Sequence, residues 1–267
     1  MPAKMKRRNF LKSAMVASAL PLQSLQSQPE ISKPIVRKLF AYGGDFDRGF
    51  TKYVASLTGK TSPRICFLPT ATGDAAGYVM RWFETCSGLP LNAFVQRSFI
   101  SSYNQKESFE DIFLSMDAIL VGGGNTLNMM AIWKAQGIDH ALRKAYESGV
   151  ILGGGSAGSL CWFEQGTTDS RPGSLTTVEG LGLISGSHSP HYDGEGERKP
   201  LYWSKIKSGE YKAGFACDDK AGIYFENEQV KQVVSLNEKS NAYHVSLAGG
   251  EIVEKAFPKE VLPPAWP

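Results

Sequence analysis

The sequence predicts a three-layer α/β domain. Its mostly parallel sheet carries helices on both faces, and short antiparallel strands are added in the C-terminal part. Three observations predict it. Between residues 38 and 155, apolar runs of strand length alternate with helical stretches of about three turns, the rhythm of βαβ units. Beyond about residue 170 that rhythm gives way to Gly/Ser/Pro-rich loops and shorter strands. The chain's 267 residues, 42% hydrophobic and 21% charged, are enough for one large core of ordinary globular composition.

The elements follow in order. Lys38-Leu39-Phe40-Ala41-Tyr42 is a strand ending in the turn Gly43-Gly44, and Phe50 to Leu57 is a short amphipathic helix. Arg64 to Thr70 is an apolar run typical of a buried parallel strand. Ala75 to Cys86 reads as a helix, Leu91 to Arg97 as a strand, and Phe109 to Met116 as a helix leading into strand Ala118–Val121. Gly122-Gly123-Gly124-Asn125-Thr126 then opens a helix from Leu127 to Gln136, which Gly137 stops. A further helix, Asp139 to Ser148, is closed by Gly149 and leads into strand Val150–Leu152. Later strands are expected at Gly214–Cys217, Ala221–Phe225, Val230–Ser235 and Ala242–Leu247, as antiparallel additions at one edge. A tail with Pro258, Pro263, Pro264 and Pro267 closes the chain, and no linker or internal repeat interrupts it.

Formal net charge is +3, and Lys4, Lys6, Arg7, Arg8 and Lys12 carry much of the excess. The remainder is near neutral, which argues against a nucleic-acid surface. The cysteines, Cys66, Cys86, Cys161 and Cys217, are widely spaced and form no C-x-x-C pair, so no metal site is expected. Lys6-Arg7-Arg8-Asn9-Phe10-Leu11-Lys12 precedes a mildly apolar run from Ser13 to Leu22 that is too short to span a bilayer. Residues 1–30 are therefore read as a twin-arginine signal and disordered lead, and residues 31–267 as one domain. Export to the periplasm is expected, with no membrane attachment after processing. A basic tail on a cytoplasmic protein is the alternative.

The chemistry concentrates at Gly154-Gly155-Ser156-Ala157-Gly158, which fits the G-x-S-x-G nucleophile elbow. A strand turning sharply into a helix leaves no room beside the serine, so small residues flank it and its hydroxyl projects from the sheet. The N–H of Ala157 would face a developing oxyanion, and Gly124, at the end of a neighbouring parallel strand, offers a second donor. A phosphate-binding loop would want a Lys-Ser/Thr pair, which is missing. The base must come from four histidines. His140 lies on a surface helix and His244 in a late strand, whereas His188 and His191 share the loop Gly186-Ser187-His188-Ser189-Pro190-His191-Tyr192-Asp193. Either loop histidine suits general-base work. The orienting carboxylate is open between Asp169, Asp193 and the pair Asp218-Asp219. The best acid follows the histidines, and this order disfavours an α/β-hydrolase.

Across residues 38–250 the chain resembles the peptidase E family of serine peptidases, which includes cyanophycinase. The resemblance is densest in Val121-Gly-Gly-Gly-Asn-Thr126, Gly155-Ser-Ala-Gly158 and Ser189-Pro-His-Tyr192. It implies a class I glutamine amidotransferase-like fold and no cofactor. It also implies Ser156 as nucleophile, His191 as base, and Gly124 and Ala157 as oxyanion donors. Asp219 is implied as the acid, with Asp169 second. Hydrolysis of short peptides with an N-terminal aspartate would engage Asn125 and Arg198, the latter as a cation for the substrate carboxylate. The partner is then a small peptide, with a homodimer left open. Rival readings are a cyanophycinase-like or esterase hydrolase, and a non-catalytic binding module on the same fold.

Overall fold

The computed structural model describes residue 1, residues 34–101 and residues 103–265. The segment read as a twin-arginine signal lies, Met1 apart, outside the described residues.

The predicted βαβ rhythm is present. Strand β1 (Lys38–Tyr42) leads to helix α1 (Arg48–Leu57), whose N-cap Asp47 accepts from the Gly49 N–H. Strand β2 (Arg64–Leu68) passes through a 3-10 turn, Thr70–Thr72, to α2 (Ala76–Cys86) and β3 (Asn92–Val95). Helix α3 (Phe109–Leu114) precedes β4 (Ala118–Val121), α4 (Thr126–Gln136), α5 (Ile138–Glu147) and β5 (Ile151–Gly155). Strands β1, β5, β4, β2 and β3 are neighbours in that order and all parallel.

Side chains alternate across this sheet and build two cores. Phe40, Tyr42, Phe67 and Leu120 pack with Phe50 and Val54 of α1 and Trp82 of α2. Leu39, Ala41, Leu68 and Val121 pack on the other face with Met129 and Trp133 of α4, Leu142 of α5 and Phe113 of α3. Helices thus cover both faces, as a parallel sheet requires.

The C-terminal half departs from expectation. Instead of antiparallel additions to one sheet, it divides between two. After a single helical turn, α6 (Ala157–Leu160), come β6 (Phe163–Thr168), β7 (Thr176–Glu179), β8 (Ile184–Ser189), α7 (Arg198–Lys207) and β9 (Gly214–Cys217). Then follow β10 (Ala221–Glu226), β11 (Gln229–Ser235), β12 (Ala242–Ala248), β13 (Glu251–Ala256) and β14 (Glu260–Val261). Strands β10, β11 and β14 extend the first sheet past β1, giving the order β14-β11-β10-β1-β5-β4-β2-β3. The others form a second sheet, β13-β12-β9-β8-β6-β7, in which β6, β8 and β9 are parallel. On one side this sheet carries α7 through Tyr202 and Ile206, packed with Ala216 and Val245. Phe163 and Ile184 join the core shared with the first sheet.

This division positions the site. Strand β10 runs antiparallel to β1, with Gly222 opposite Tyr42, so its start lies at the edge where β1 and β5 end. The turn joining β9 to β10 therefore brings the C-terminal end of the second sheet to that of the first.

Candidate active site

Four strand ends from two sheets meet here. Ser156 follows β5 with φ 54° and ψ −120°, a left-handed conformation rare for a residue with a side chain. Such strain, about 1–3 kcal/mol, persists only where the surroundings impose it. The Ser156 carbonyl accepts from the Ser159 and Leu160 N–H groups, both at 3.0 Å, and from the Ser159 hydroxyl at 2.8 Å. These bonds hold the turn closed from behind.

His191 follows β8, also at positive φ, 52°. Its Nε2 lies 2.8 Å from Ser156 Oγ and its Nδ1 lies 2.6 Å from Asp219 Oδ1. With its proton on Nδ1, the imidazole donates to Asp219 and accepts from the serine hydroxyl. Asp219 sits in the β9–β10 turn, where its N–H donates to Asp193 Oδ1 at 2.9 Å. The side chains of His191 and Asp219 are 23% and 44% exposed, so the chain of hydrogen bonds opens to solvent.

The glycine turn after β4 closes on the same serine. A β-carbon on Gly123 would stand 3.1 Å from Ser156 Cβ, tighter than ordinary contact, so a side chain there would push on the serine. Gly124, at φ 131°, tucks against the Ala71 carbonyl. The N–H groups of Gly124 and Ala157 have no hydrogen-bond partner among the described residues.

Other residues singled out from the sequence lie elsewhere or are engaged. Asp169, exposed after β6, makes no hydrogen bond among the described residues, and His191 turns to Asp219 instead. The Asn125 side chain caps α4 by accepting the Asn128 N–H at 2.9 Å and donates to the Ser170 carbonyl at 2.9 Å. Arg198, expected to face a substrate carboxylate, is 2% exposed. Its guanidinium donates to Glu195 Oε2 at 2.6 and 2.9 Å and to the Thr167 carbonyl at 2.8 Å, so it is held inside the fold. His188 belongs to strand β8 and not to a loop. It is fully buried, stacked on Phe163 with ring centroids 4.4 Å apart, and bonded to Ser159 Oγ at 2.9 Å and the Phe215 carbonyl at 3.1 Å. Burial pushes its imidazole down to about 3. Asp218 is buried too, and burial pushes its carboxyl up to about 6 while the Asn241 N–H and Tyr243 hydroxyl bond to it. The four cysteines are buried free thiols.

One contact had no signal in the sequence. Tyr78 reaches from α2 to accept the Gly123 N–H at 3.0 Å and donates to Asp45 in the β1–α1 loop.

The sequence model of Peptidase family S51 matches residues 43–233, most of the chain and all four strand ends. The chain belongs to peptidase family S51. It is 41% identical over 215 residues to the uncharacterized peptidase YgaJ of Bacillus subtilis (strain 168), covering 79% of this chain and 90% of that protein. An S51 member is a serine peptidase, and this chain is one. Two solved structures share the fold. A protein described as a peptidase E from Listeria monocytogenes EGD-e has a TM-score of 0.56 at 21% identity, covering 76% of this S51 chain and all of its own. A peptidase from an acI-B1 Actinobacterium has a TM-score of 0.64 at 14% identity, covering 85% and 96%. The family and this fold agree with the α/β, peptidase E-like architecture read from the sequence. Among the described residues, no group of His, Cys, Asp or Glu is arranged to hold a metal, and no helix is long and apolar enough to cross a membrane.

Proposed function

We propose that this S51 peptidase hydrolyses short peptides through an acyl-enzyme, with Ser156 as nucleophile, His191 as acid and base, and Asp219 orienting the imidazole. One observation carries the reading: the hydrogen bonds of 2.8 Å from Ser156 Oγ to His191 and 2.6 Å from His191 to Asp219. Ser156 Oγ forms a bond to the scissile carbonyl carbon as its proton passes to His191 Nε2. The unpartnered N–H groups of Gly124 and Ala157 take the oxyanion. The C–N bond then breaks, and His191 returns the proton to the leaving amine. Water attacks the ester with His191 again as base, releasing the acid and restoring the hydroxyl. The Asp219 carboxylate stabilises the imidazolium.

The proposed substrates are short peptides, those with an N-terminal aspartate among them. That preference does not rest on Arg198, whose charge is answered by Glu195. A panel of Asp-X dipeptides, other dipeptides, β-aspartyl peptides and aryl esters tests the reading. Wild-type protein is expected to cleave α-peptide bonds fastest, and Ser156→Ala to lose at least roughly 10⁴-fold in kcat. Peptide hydrolysis that survives in S156A overturns the mechanism, and exclusive action on β-aspartyl peptides or on esters overturns the substrate class.

A further inference from the structure

The turn after β4 carries the one proposed oxyanion donor outside the elbow, so whatever fixes that turn bears on the reaction. Packing fixes its position. A β-carbon on Gly122 would stand 2.6 Å from Tyr78 Cε1 and 2.7 Å from Phe67 Cζ, while Gly123 and Gly124 lie against Ser156 and Ala71. Packing does not fix the direction of the peptide N–H groups, because glycine has little steric preference for one orientation.

Hydrogen bonds supply that direction. The Gly122 N–H donates to the Leu68 carbonyl at 3.1 Å, the Asn125 N–H to the Ala71 carbonyl at 2.8 Å, and the Gly123 N–H to Tyr78 Oη at 3.0 Å. Of these four consecutive N–H groups, Gly124's alone has no partner among the described residues. Tyr78 is the only side chain among the three acceptors.

The phenol has one proton, and it goes to Asp45. That carboxylate also accepts from Arg81 Nη1 at 2.5 Å and from the Phe46 N–H at 2.8 Å. Burial first, and Asp45 second, push the Tyr78 phenol upward, so it stays protonated. Its lone pair remains for Gly123. The ring is held against Phe46 and Phe67, with centroids 5.0 and 5.4 Å away.

We infer that Tyr78 is a positioning residue for catalysis: by accepting the Gly123 N–H it sets the glycine turn so that the Gly124 N–H is free for the oxyanion. The inference rests on the reading of Ser156 as nucleophile. Tyr78 donates nothing to the substrate, since its proton is given to Asp45. Its contribution therefore falls on the transition state and leaves ground-state binding alone.

Tyr78→Phe removes the hydroxyl and keeps the ring. Two readouts apply: covalent labelling of Ser156 by a small fluorophosphonate, in which fluoride leaves, and steady-state hydrolysis of the dipeptide that wild type cleaves fastest. Both reactions place an oxygen in the same N–H cradle. In Y78F, labelling rate and kcat are expected to fall on the order of ten- to a hundredfold, with KM changed less than about twofold. The melting temperature and the shape of the pH profile should stay at the wild-type values. Asp45→Asn, whose amide oxygen still accepts the phenol proton, should keep most of the activity. Wild-type rates in Y78F overturn the inference, as does a loss matched by a rise in KM and a fall in melting temperature. Hydrolysis persisting in S156A would instead sink the nucleophile reading, whatever Y78F does.

Discussion

Two serine–histidine pairs lie side by side in this protein, three residues apart at both ends. Ser156 meets His191 at 2.8 Å, and Ser159 meets His188 at 2.9 Å. The chemical groups are the same and the environments are opposite. His191 has a carboxylate on its second nitrogen and stands partly open to solvent. His188 has a backbone carbonyl there, a phenyl ring on its face and no exposure. An imidazole that must become cationic in mid-reaction needs a negative partner and room for a substrate. His188 has neither, and its burial opposes the charge. Distance alone would not choose between the pairs. The third partner and access do, and both favour the His191 pair that the proposed mechanism uses.

The largest effect that could break this comparison is the exchange of roles between the histidines. His191→Ala is expected to cost at least roughly 10⁴-fold in kcat without unfolding the protein. His188→Gln should keep kcat within about tenfold while stability falls by about 1–3 kcal/mol, the cost of leaving buried partners unanswered. Steady-state kinetics with thermal melting of both variants decides it. A dead but stable H188Q beside an active H191A would reverse the assignment.

A smaller effect sharpens the choice of third partner. Asp219→Asn should lower kcat about a thousandfold, because an amide no longer stabilises the imidazolium and can favour the wrong tautomer. Asp169→Asn should change kcat by less than roughly twofold. Equal losses in D219N and D169N would remove the carboxylate from the distinction between the pairs.

The smallest effect is on stability against pH. His188 is held neutral, its folded value of about 3 lying below the ordinary 6.5. Its contribution is complete above about pH 6.5 and is lost as pH falls toward 3, at about 1.4 kcal/mol per pH unit. Asp218, raised to about 6 by burial, has the opposite sign: its contribution holds below 3.8 and is lost as pH rises through 6. The difference between wild type and H188Q isolates the histidine. Melting curves from pH 7 to pH 4 should fall more steeply for wild type than for H188Q. Parallel curves would show that His188 gains no proton on unfolding.

Much of the first sheet was legible in the sequence because its physics is local. Apolar runs such as residues 65–68 and Ala118–Val121 are buried on both sides and read as strands directly. The tight strand-to-helix turn at Ser156 was legible because a sharp turn leaves glycine and alanine behind. The second sheet was not. Phe163–Thr168 and Ile184–Ser189 carry glycine, serine, threonine and histidine where strands usually carry branched apolar residues, so their composition suggests loops. Long-range pairing overrides that preference: Gly166 packs against the His188 backbone where a side chain would clash. Helix α7 was hidden by Pro200, which sits in its first turn, where a missing N–H costs nothing. Arg198 was misjudged because a cation after a histidine loop looks available until Glu195, three residues before it, is seen to bind it. Tyr78 had no local signal, since its partners lie 33 and 45 residues away.

Ser156 and His191 share one further property: both ends of their hydrogen bond sit at positive φ. Glycine would relieve the torsional cost at either position and, under the proposed mechanism, erase the chemistry in the same step. Robustness and turnover therefore pull in opposite directions at two specific places in the backbone. Variants ranked only by heat resistance would drift toward glycine at residues 156 and 191, and on the proposed mechanism the hardiest of them would be inert.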